Sequence, residues 1–338
     1  MAHKIALMKG DGIGAEVMEA ALQVLGAIQE RFQIEMILTD APGGDTTLTE
    51  EGSALPPDSL QVIRDSDALL KGPVGESALD VIVKLRQDLD LFANLRPLKA
   101  LPHIPSFRDD IDLLIVRENT EGLYVGMEFE VGDNALALRL ISRGASVRIA
   151  EYAFKMASRR RKKIVMVHKA NVLRKTDGLF SNVVKEVSTK FPQVELESMY
   201  VDACAMNLIR NPESFDVIVT TNMFGDILSD EAAQLVGGLG VAPSANIGTS
   251  FGLFEPVHGA APDIAGKGQA NPIAMILSMK MMLSWFGESR EDDSCNEAAS
   301  AVEKAVINTL QGGIRTPELG GTSTTNDVGK AISSSLLS

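Results

Sequence analysis

With 338 residues, 45% of them hydrophobic, the chain can bury a core for two ordinary domains or one large mixed one, which excludes a small disulfide-stapled scaffold. Lys and Arg number 32 against 45 Asp and Glu, a formal net charge of −13, which argues against a general grip on nucleic acid or an anionic membrane. Any anionic ligand must then be held by locally placed cations or a metal.

The start, Met1-Ala2-His3-Lys4, runs into a short apolar strand over residues 5–8 with no signal-peptide pattern. Gly10-Asp11-Gly12-Ile13-Gly14 follows. Its G-x-G-x-G spacing is not the G-x-G-x-x-G of a dinucleotide turn, and Glu16 adds negative charge where a pyrophosphate would sit, so a tight structural turn is expected. The next segment is an amphipathic helix, with Val17, Val24, Leu25 and Ile28 on one face and Glu16, Glu19, Gln23 and Glu30 on the other. Apolar runs predict further strands over 68–70, 113–116, 164–167 and 217–220, with helical patterns between them. Residues 237–252, rich in Gly, Ala, Ser and Pro, are expected to form a hinge or a cofactor-facing loop rather than a helix or central strand. The greasy run 272–286 is too short to span a bilayer and reads as a buried helix. This alternation predicts an α/β protein whose sheet is covered by helices. Cys204 and Cys295 match neither a zinc spacing nor a disulfide framework and fit a reducing compartment, the cytoplasm by default.

Several side chains carry chemistry. A helix from near Gly225 places Asp226 and Asp230 one turn apart, with Leu228, Ala232 and Leu235 as its apolar stripe. Two stacked carboxylates repel, so they are either a solvated acidic helix start or an oxygen-only site for Mg²⁺ or Mn²⁺. Arg117 follows a strand and Arg96 sits at the edge of another element; with Arg86 they either clamp carboxylates at a strand end or form three unrelated surface pairs. The basic run 159–163 is explained by a solvated helix end. Lys169 is projected from a strand end, where burial and a bound cation can make a lysine a proton acceptor.

Taken together, these residues resemble the β-decarboxylating dehydrogenase family, which contains isopropylmalate, isocitrate, homoisocitrate and tartrate dehydrogenases. The likeness spans nearly the whole chain: Lys9-Gly10-Asp11-Gly12-Ile13-Gly14, Asp90-Leu91-Phe92-Ala93-Asn94-Leu95-Arg96-Pro97, Val116-Arg117-Glu118-Asn119-Thr120-Glu121-Gly122-Leu123-Tyr124, Val167-His168-Lys169-Ala170-Asn171, Val201-Asp202-Ala203, Asn222-Met223-Phe224-Gly225-Asp226-Ile227-Leu228-Ser229-Asp230 and Glu255-Pro256-Val257-His258-Gly259. The resemblance implies an isopropylmalate/isocitrate dehydrogenase-like fold, not Rossmann, with one large mixed sheet shared by two domains. Residues 1–91 and 237–338 would form the cofactor-binding domain, and 92–236 the central substrate, metal and dimerisation domain. It also implies a homodimer, or a tetramer built from such dimers, in which Lys169 and Asp202 reach into the partner's site. There they would meet Arg86, Arg96, Arg117, Tyr124, Asp226 and Asp230 of the other chain.

Carried over in this way, Lys169 with Asp202 takes the hydroxyl proton of a 2-hydroxy acid, and NAD accepts the hydride. A divalent cation, Mg²⁺ or Mn²⁺, on Asp202, Asp226 and Asp230 stabilises the enolate left after CO₂ departs, and Tyr124 protonates it. The three arginines hold the malate carboxylates. Glu255, His258, Gly259, Ala261, Asp263, Ile264 and Asn271 belong to the cofactor site; Asp263 can accept from a ribose hydroxyl and repels a 2′-phosphate, whereas NADP-dependent relatives carry Lys and Tyr where Asp263 and Ile264 stand here. Asp80 and Ile82 replace the Ser and Asn of isocitrate enzymes, and Val83 the Arg of homoisocitrate enzymes. Ile82 and Val83 would line an apolar pocket in which an isopropyl tail gains about 2 kcal/mol, while a third carboxylate would go unpaired at a cost of several kcal/mol. The expected substrate is 3-isopropylmalate, with isocitrate, homoisocitrate, tartrate, malate or methylmalate as alternatives. Leu79 is a departure, standing where many isopropylmalate enzymes have a Glu facing the nicotinamide. From other classes, a catalytically silent regulatory subunit is disfavoured because every matched position is intact, and a nucleic-acid module would rest on 159–163 alone.

Overall fold

The computed structural model describes residues 2–338; Met1 and the side chain of Leu79 lie outside the described part. Twelve strands are described: β1 His3–Met8, β2 Met36–Asp40, β3 Ala68–Lys71, β4 Ala93–Lys99, β5 Asp112–Glu118, β6 Glu128–Val131, β7 Asn134–Ala137, β8 Lys163–His168, β9 Glu195–Tyr200, β10 Val217–Thr220, β11 Pro243–Ile247 and β12 Gly252–Pro256. Ten form one sheet in the order β2-β1-β3-β12-β11-β4-β5-β10-β8-β9, parallel at both ends and antiparallel from β12 through β5. This single mixed sheet is not the Rossmann order 3-2-1-4-5-6. All five strands expected from apolar runs are present, because they are buried on both faces.

The expectation for residues 237–252 is corrected. Their middle is β11, a buried central strand between β12 and β4. Pro243 is tolerated because it opens the strand, and Ala245 and Ile247 alternate with Ser244 and Asn246.

Among the described residues eleven α-helices surround the sheet: α1 Gly14–Phe32, α2 Asp45–Glu51, α3 Pro57–Arg64, α4 Lys84–Asp88, α5 Arg143–Ser158, α6 Thr176–Ser188, α7 Val201–Arg210, α8 Asn222–Leu235, α9 Ile273–Ser289, α10 Asp293–Gln311 and α11 Thr325–Leu337. Val17, Val24, Leu25 and Ile28 of α1 are fully buried, and α9, the expected greasy helix, packs in the core. Among the described residues no helix is long and apolar enough to cross a membrane. The basic run is the solvated helix end expected, with Arg159, Arg161 and Lys162 exposed at the end of α5; within it Arg160 pairs with Asp112 and Asp216, each at 2.8 Å, and Arg159 with Glu288 at 2.6 Å. It ties the end of α5 to β5, β10 and α9.

Gly10-Asp11-Gly12-Ile13-Gly14 is the structural turn expected. Gly10 and Gly12 both have positive φ, and a Cβ on Gly12 would lie 2.0 Å from the Ala260 carbonyl oxygen. The turn seats two other loops: Asp11 N donates to Pro73 O at 2.8 Å, and Ile13 N to Ala260 O at 2.8 Å.

Candidate active site

Strand register builds the site. β5, β10 and β8 are parallel, so Arg117, Thr220 and Val167 fall in one row at their carboxyl ends, where α/β sheets bind ligands. β4 runs antiparallel beside β5 and sets Asn94 opposite Arg117. Asn94 and Arg96, two apart, point to the same face. The helix α8 follows β10 directly and brings Asn222, Asp226, Ser229 and Asp230 over that row.

The three arginines converge, which removes the alternative of unrelated surface pairs. Arg117 is 1% exposed; its Nε and Nη2 donate to Asn222 Oδ1 at 3.0 and 2.6 Å, and Nη1 to Asp226 Oδ1. Arg96 donates to Asn94 at 3.0 Å, Asp230 at 2.9 Å and Asp226 at 3.1 Å. Arg86, on α4, donates to Asn246 at 3.0 Å and lies 3.5 Å from Glu255. Asp226 and Asp230 are therefore no solvated helix start. Their mutual repulsion is relieved here by Arg96, which bridges both.

Burial pushes the Arg117 guanidinium down to about 9, reinforced by the positive charges of Arg96 and Arg86, and Arg86 is lowered chiefly by the same burial. Burial works to raise Asp226, but Arg117 and Arg96 outweigh it and hold its carboxyl below the usual range; for Asp230 burial wins and the carboxyl is raised. Tyr124, in the short turn Leu123–Val125, donates its hydroxyl to Asp226 Oδ2. Burial first, and then that bond, raise the phenol, so it stays protonated and can serve as a proton donor.

Two residues of the site, Lys71 and Asn246, carried no motif signal of their own. Lys71 is buried at the end of β3 and donates to Glu255 Oε2 at 2.8 Å; Asn246 donates to Glu255 Oε1 at 2.9 Å and accepts from Asn94 and Asn119. Burial works to raise Glu255, yet Lys71 and Arg86 pull it down to about 2. Asn222 clamps Arg117. The available signal for Lys71 was its position: a lysine closing an apolar strand, like Lys169.

Lys169 and Asp202 form their own pair at 2.8 Å, at the end of β8 and the first turn of α7. That bond lowers the Asp202 carboxyl. Among the described residues no hydrogen bond or ion pair joins this pair to the arginine cluster, and Asp202 does not gather with Asp226 and Asp230 inside one chain. A cleft of ≈ 560 Å³ opens beside Tyr124, lined by Asp80, Val83, Lys84, Gln87, Leu123, Val125, Gly126 and Glu128. Val83 is in its wall as expected. Ile82 is not: residues Leu79–Val83 form a π-helical turn, and Ile82 packs half-buried against the cluster containing Val81, Leu85 and Leu91.

In the expected cofactor segment, Asp263 is exposed in the single turn Pro262–Ile264, after Ala261 in a left-handed conformation. Gly259 is exposed and open around its Cα. His258 Nε2 and Asn271 Nδ2 are buried without a hydrogen-bond partner, and burial lowers the His258 imidazole, leaving it neutral. His258 Nδ1 donates to Gly259 O at 3.0 Å, so Nε2 is an orphaned acceptor and Asn271 Nδ2 an orphaned donor; the two suit a polar ligand and fit a dinucleotide. Asp226 and Asp230 offer only oxygen and fit a hard divalent cation. Another grouping of metal-ligand types, His3, Asp292 and Cys295, is satisfied internally: His3 lies 3.2 Å from Asp292 and 3.5 Å from Arg290, and ties β1 to α10.

This fold and site define a class, and the comparisons agree. Residues 4–332 match the family model for isocitrate/isopropylmalate dehydrogenase, so the chain belongs to that family, that of the β-decarboxylating dehydrogenases. The 3-isopropylmalate dehydrogenase of Methanothermobacter thermautotrophicus is 53% identical over 319 residues, 94% of each chain. The isocitrate/homoisocitrate dehydrogenase of Thermus thermophilus is 49% identical over 345 residues, all of both chains. The crystal structure of isocitrate dehydrogenase from Methylococcus capsulatus superposes with a TM-score of 0.92 at 41% identity, covering 99% of this chain and 100% of that one.

Proposed function

We propose that the protein catalyses the NAD-dependent oxidative decarboxylation of 3-isopropylmalate to 2-oxo-4-methylpentanoate, in leucine biosynthesis, with Mg²⁺ or Mn²⁺. The observation that carries this is the gathering of Arg96 and Arg117 on Asp226 beside the Tyr124 hydroxyl, with Arg86 held alongside by Asn246 and Glu255. Lys71 and the three arginines face three carboxylates, Asp226, Asp230 and Glu255, so the cluster has room for the negative charge of a hydroxy-diacid. The arginines orient the two carboxylates bidentately. Lys169, held by Asp202, takes the hydroxyl proton at Nζ, and Tyr124 returns a proton to carbon from its hydroxyl. Asp226 and Asp230, with Asp202, would hold the cation, and His258, Asp263 and Asn271 the dinucleotide. When bound, the two supply a Lewis acid for the developing enolate and an acceptor for hydride.

Because Lys169 and Asp202 stand apart from the arginine cluster within one chain, the complete site is assigned to a homodimer. Apolar side chains left exposed support this. Phe129, Val131 and Leu136 lie on the β6–β7 hairpin, outside the main sheet, and Met206, Ile209 and Ile227 on α7 and α8. We assign 1–91 with 237–338 to the cofactor domain, 92–236 to the central one, and the protein to the cytoplasm.

Val83, Leu123 and Val125 favour an apolar tail in the cleft, where Asp80 and Glu128 outnumber the one cation, Lys84, and disfavour a third carboxylate. Initial rates with 3-isopropylmalate and isocitrate, NAD and Mg²⁺ present, test the reading. The expected kcat/KM is at least about 30-fold higher for 3-isopropylmalate; a preference for isocitrate overturns it.

A further inference from the structure

The chain leaving β3 must cross from Gly72 to the π-helical turn Leu79–Val83, which carries Asp80 and Val83 into the cleft wall and continues without a break into Arg86 on α4. Its position therefore sets both the tail wall and one substrate arginine. Two carboxylates hold it. Asp11, buried in the glycine turn, accepts from Gly75 N at 3.0 Å, Asp45 N at 2.8 Å and both Thr46 N and Thr46 Oγ1, at 3.1 and 3.2 Å. Asp45 passes the hold onward, accepting from Glu76 N at 2.9 Å and Ser77 N at 2.7 Å. The fit is tight: a Cβ on Gly44 would lie 2.4 Å from Asp11 Oδ2, and one on Gly75 2.1 Å from Asp45 Oδ2. Glu76 is exposed and Asp45 half-buried, while Val74 packs in the core and Ser77 is buried, so apolar packing anchors the segment alongside these bonds.

We propose that Asp11 and Asp45 are positioning residues for substrate selection: a two-step carboxylate latch that fixes the segment 72–78 and, through it, the register of the tail wall and of Arg86. This rests on the substrate reading above. Neither carboxylate touches substrate. Amide donors aimed at ionised acceptors make the stronger class of hydrogen bond, so losing two frees the segment without opening the fold.

The test compares wild type with Asp45→Ala and Asp45→Asn, the latter retaining one acceptor oxygen. Hydrogen exchange is followed at Glu76 and Ser77, and kcat and KM are measured with 3-isopropylmalate and isocitrate. In Asp45→Ala, faster exchange confined to 72–83, a KM raised about tenfold with kcat within about twofold, and a smaller ratio between the two substrates are expected. Asp45→Asn should fall between that variant and wild type. Faster exchange with unchanged KM and unchanged discrimination overturns the proposal, as does an equal loss of kcat with both substrates and a lowered Tm, which marks a merely structural role. Should Asp45→Ala fail to fold, Asp45→Asn gives the same readouts. A wild type that prefers isocitrate refutes the substrate assignment alone; the latch is then judged on the variant-to-wild-type ratios with isocitrate.

Discussion

Gly225 lies in the first turns of α8, directly against Arg117. A Cβ there would sit 2.6 Å from Arg117 Cγ and 2.7 Å from its Cβ, about 0.8 Å inside ordinary contact, which begins near 3.4 Å. Alanine itself is welcome at a helical position and by propensity gains up to about 1 kcal/mol over glycine, so any loss is steric. Arg117 cannot yield cheaply. Its Cβ and Cγ are anchored to β5, a central strand, and its tip is clamped by Asn222 and Asp226. Overpacking of this kind costs about 1–3 kcal/mol, and a displacement approaching 1 Å at a substrate-orienting group costs about 100-fold in rate. Gly225→Ala is therefore expected to lower kcat/KM for 3-isopropylmalate about 100-fold with a folded circular-dichroism spectrum. Gly144→Ala, exposed on α5 with nothing near its Cβ, should match wild type. A Gly225→Ala enzyme within twofold of wild type refutes the argument that this glycine makes room for the arginine.

Three further outcomes are expected. Glu255→Gln leaves Lys71 buried without its partner; because the folded carboxyl is depressed from 4.5 to about 2, its stabilisation is full above the unfolded value and is lost as pH falls from 4.5 to 2. Urea unfolding should show the variant weaker by roughly 3 kcal/mol at pH 7 and with a flatter dependence across that acid window; an unchanged pH profile contradicts the pairing. Asp263→Ala removes a carboxylate that repels a 2′-phosphate, so the kcat/KM ratio of NAD to NADP should fall at least about tenfold, and an unchanged ratio assigns the preference elsewhere. Tyr124→Phe loses the proton donor, lowering kcat about 100-fold or more with little change in KM; a normal kcat removes Tyr124 from the chemistry.

What could be read from the sequence follows burial. Strands β1, β3, β5, β8 and β10 are sandwiched between helices and are written as unbroken apolar runs. β11 is as central but reads as a hinge in sequence, because one of its faces serves the site: Ser244 and Asn246 hydrogen-bond with Asn94, Arg86 and Glu255, and only Ala245 and Ile247 face the core. The outermost strands differ from these: β2 carries the short apolar run Met36-Ile37-Leu38 but exposes four of its five residues, and β9, nowhere fully buried, has no such run. The site residues named through the family likeness do gather at the strand ends, yet local pattern could not bring the arginines together, since Arg86 sits on a helix and Arg96 and Arg117 on antiparallel neighbours. Nor could periodicity orient Ile82, because a π-helical turn shifts the face a 3.6-residue repeat would assign.

The account turns on a site completed across two chains, and mixing inactive variants tests that most directly. Lys169→Ala and Tyr124→Phe homodimers each spoil every site, whereas a hybrid dimer concentrates both lesions in one site and leaves the other whole. After unfolding and refolding together, random pairing makes half the dimers hybrid, so about one quarter of wild-type activity should return. A mixture no more active than its two components, with hybrids demonstrably formed, contradicts the shared site.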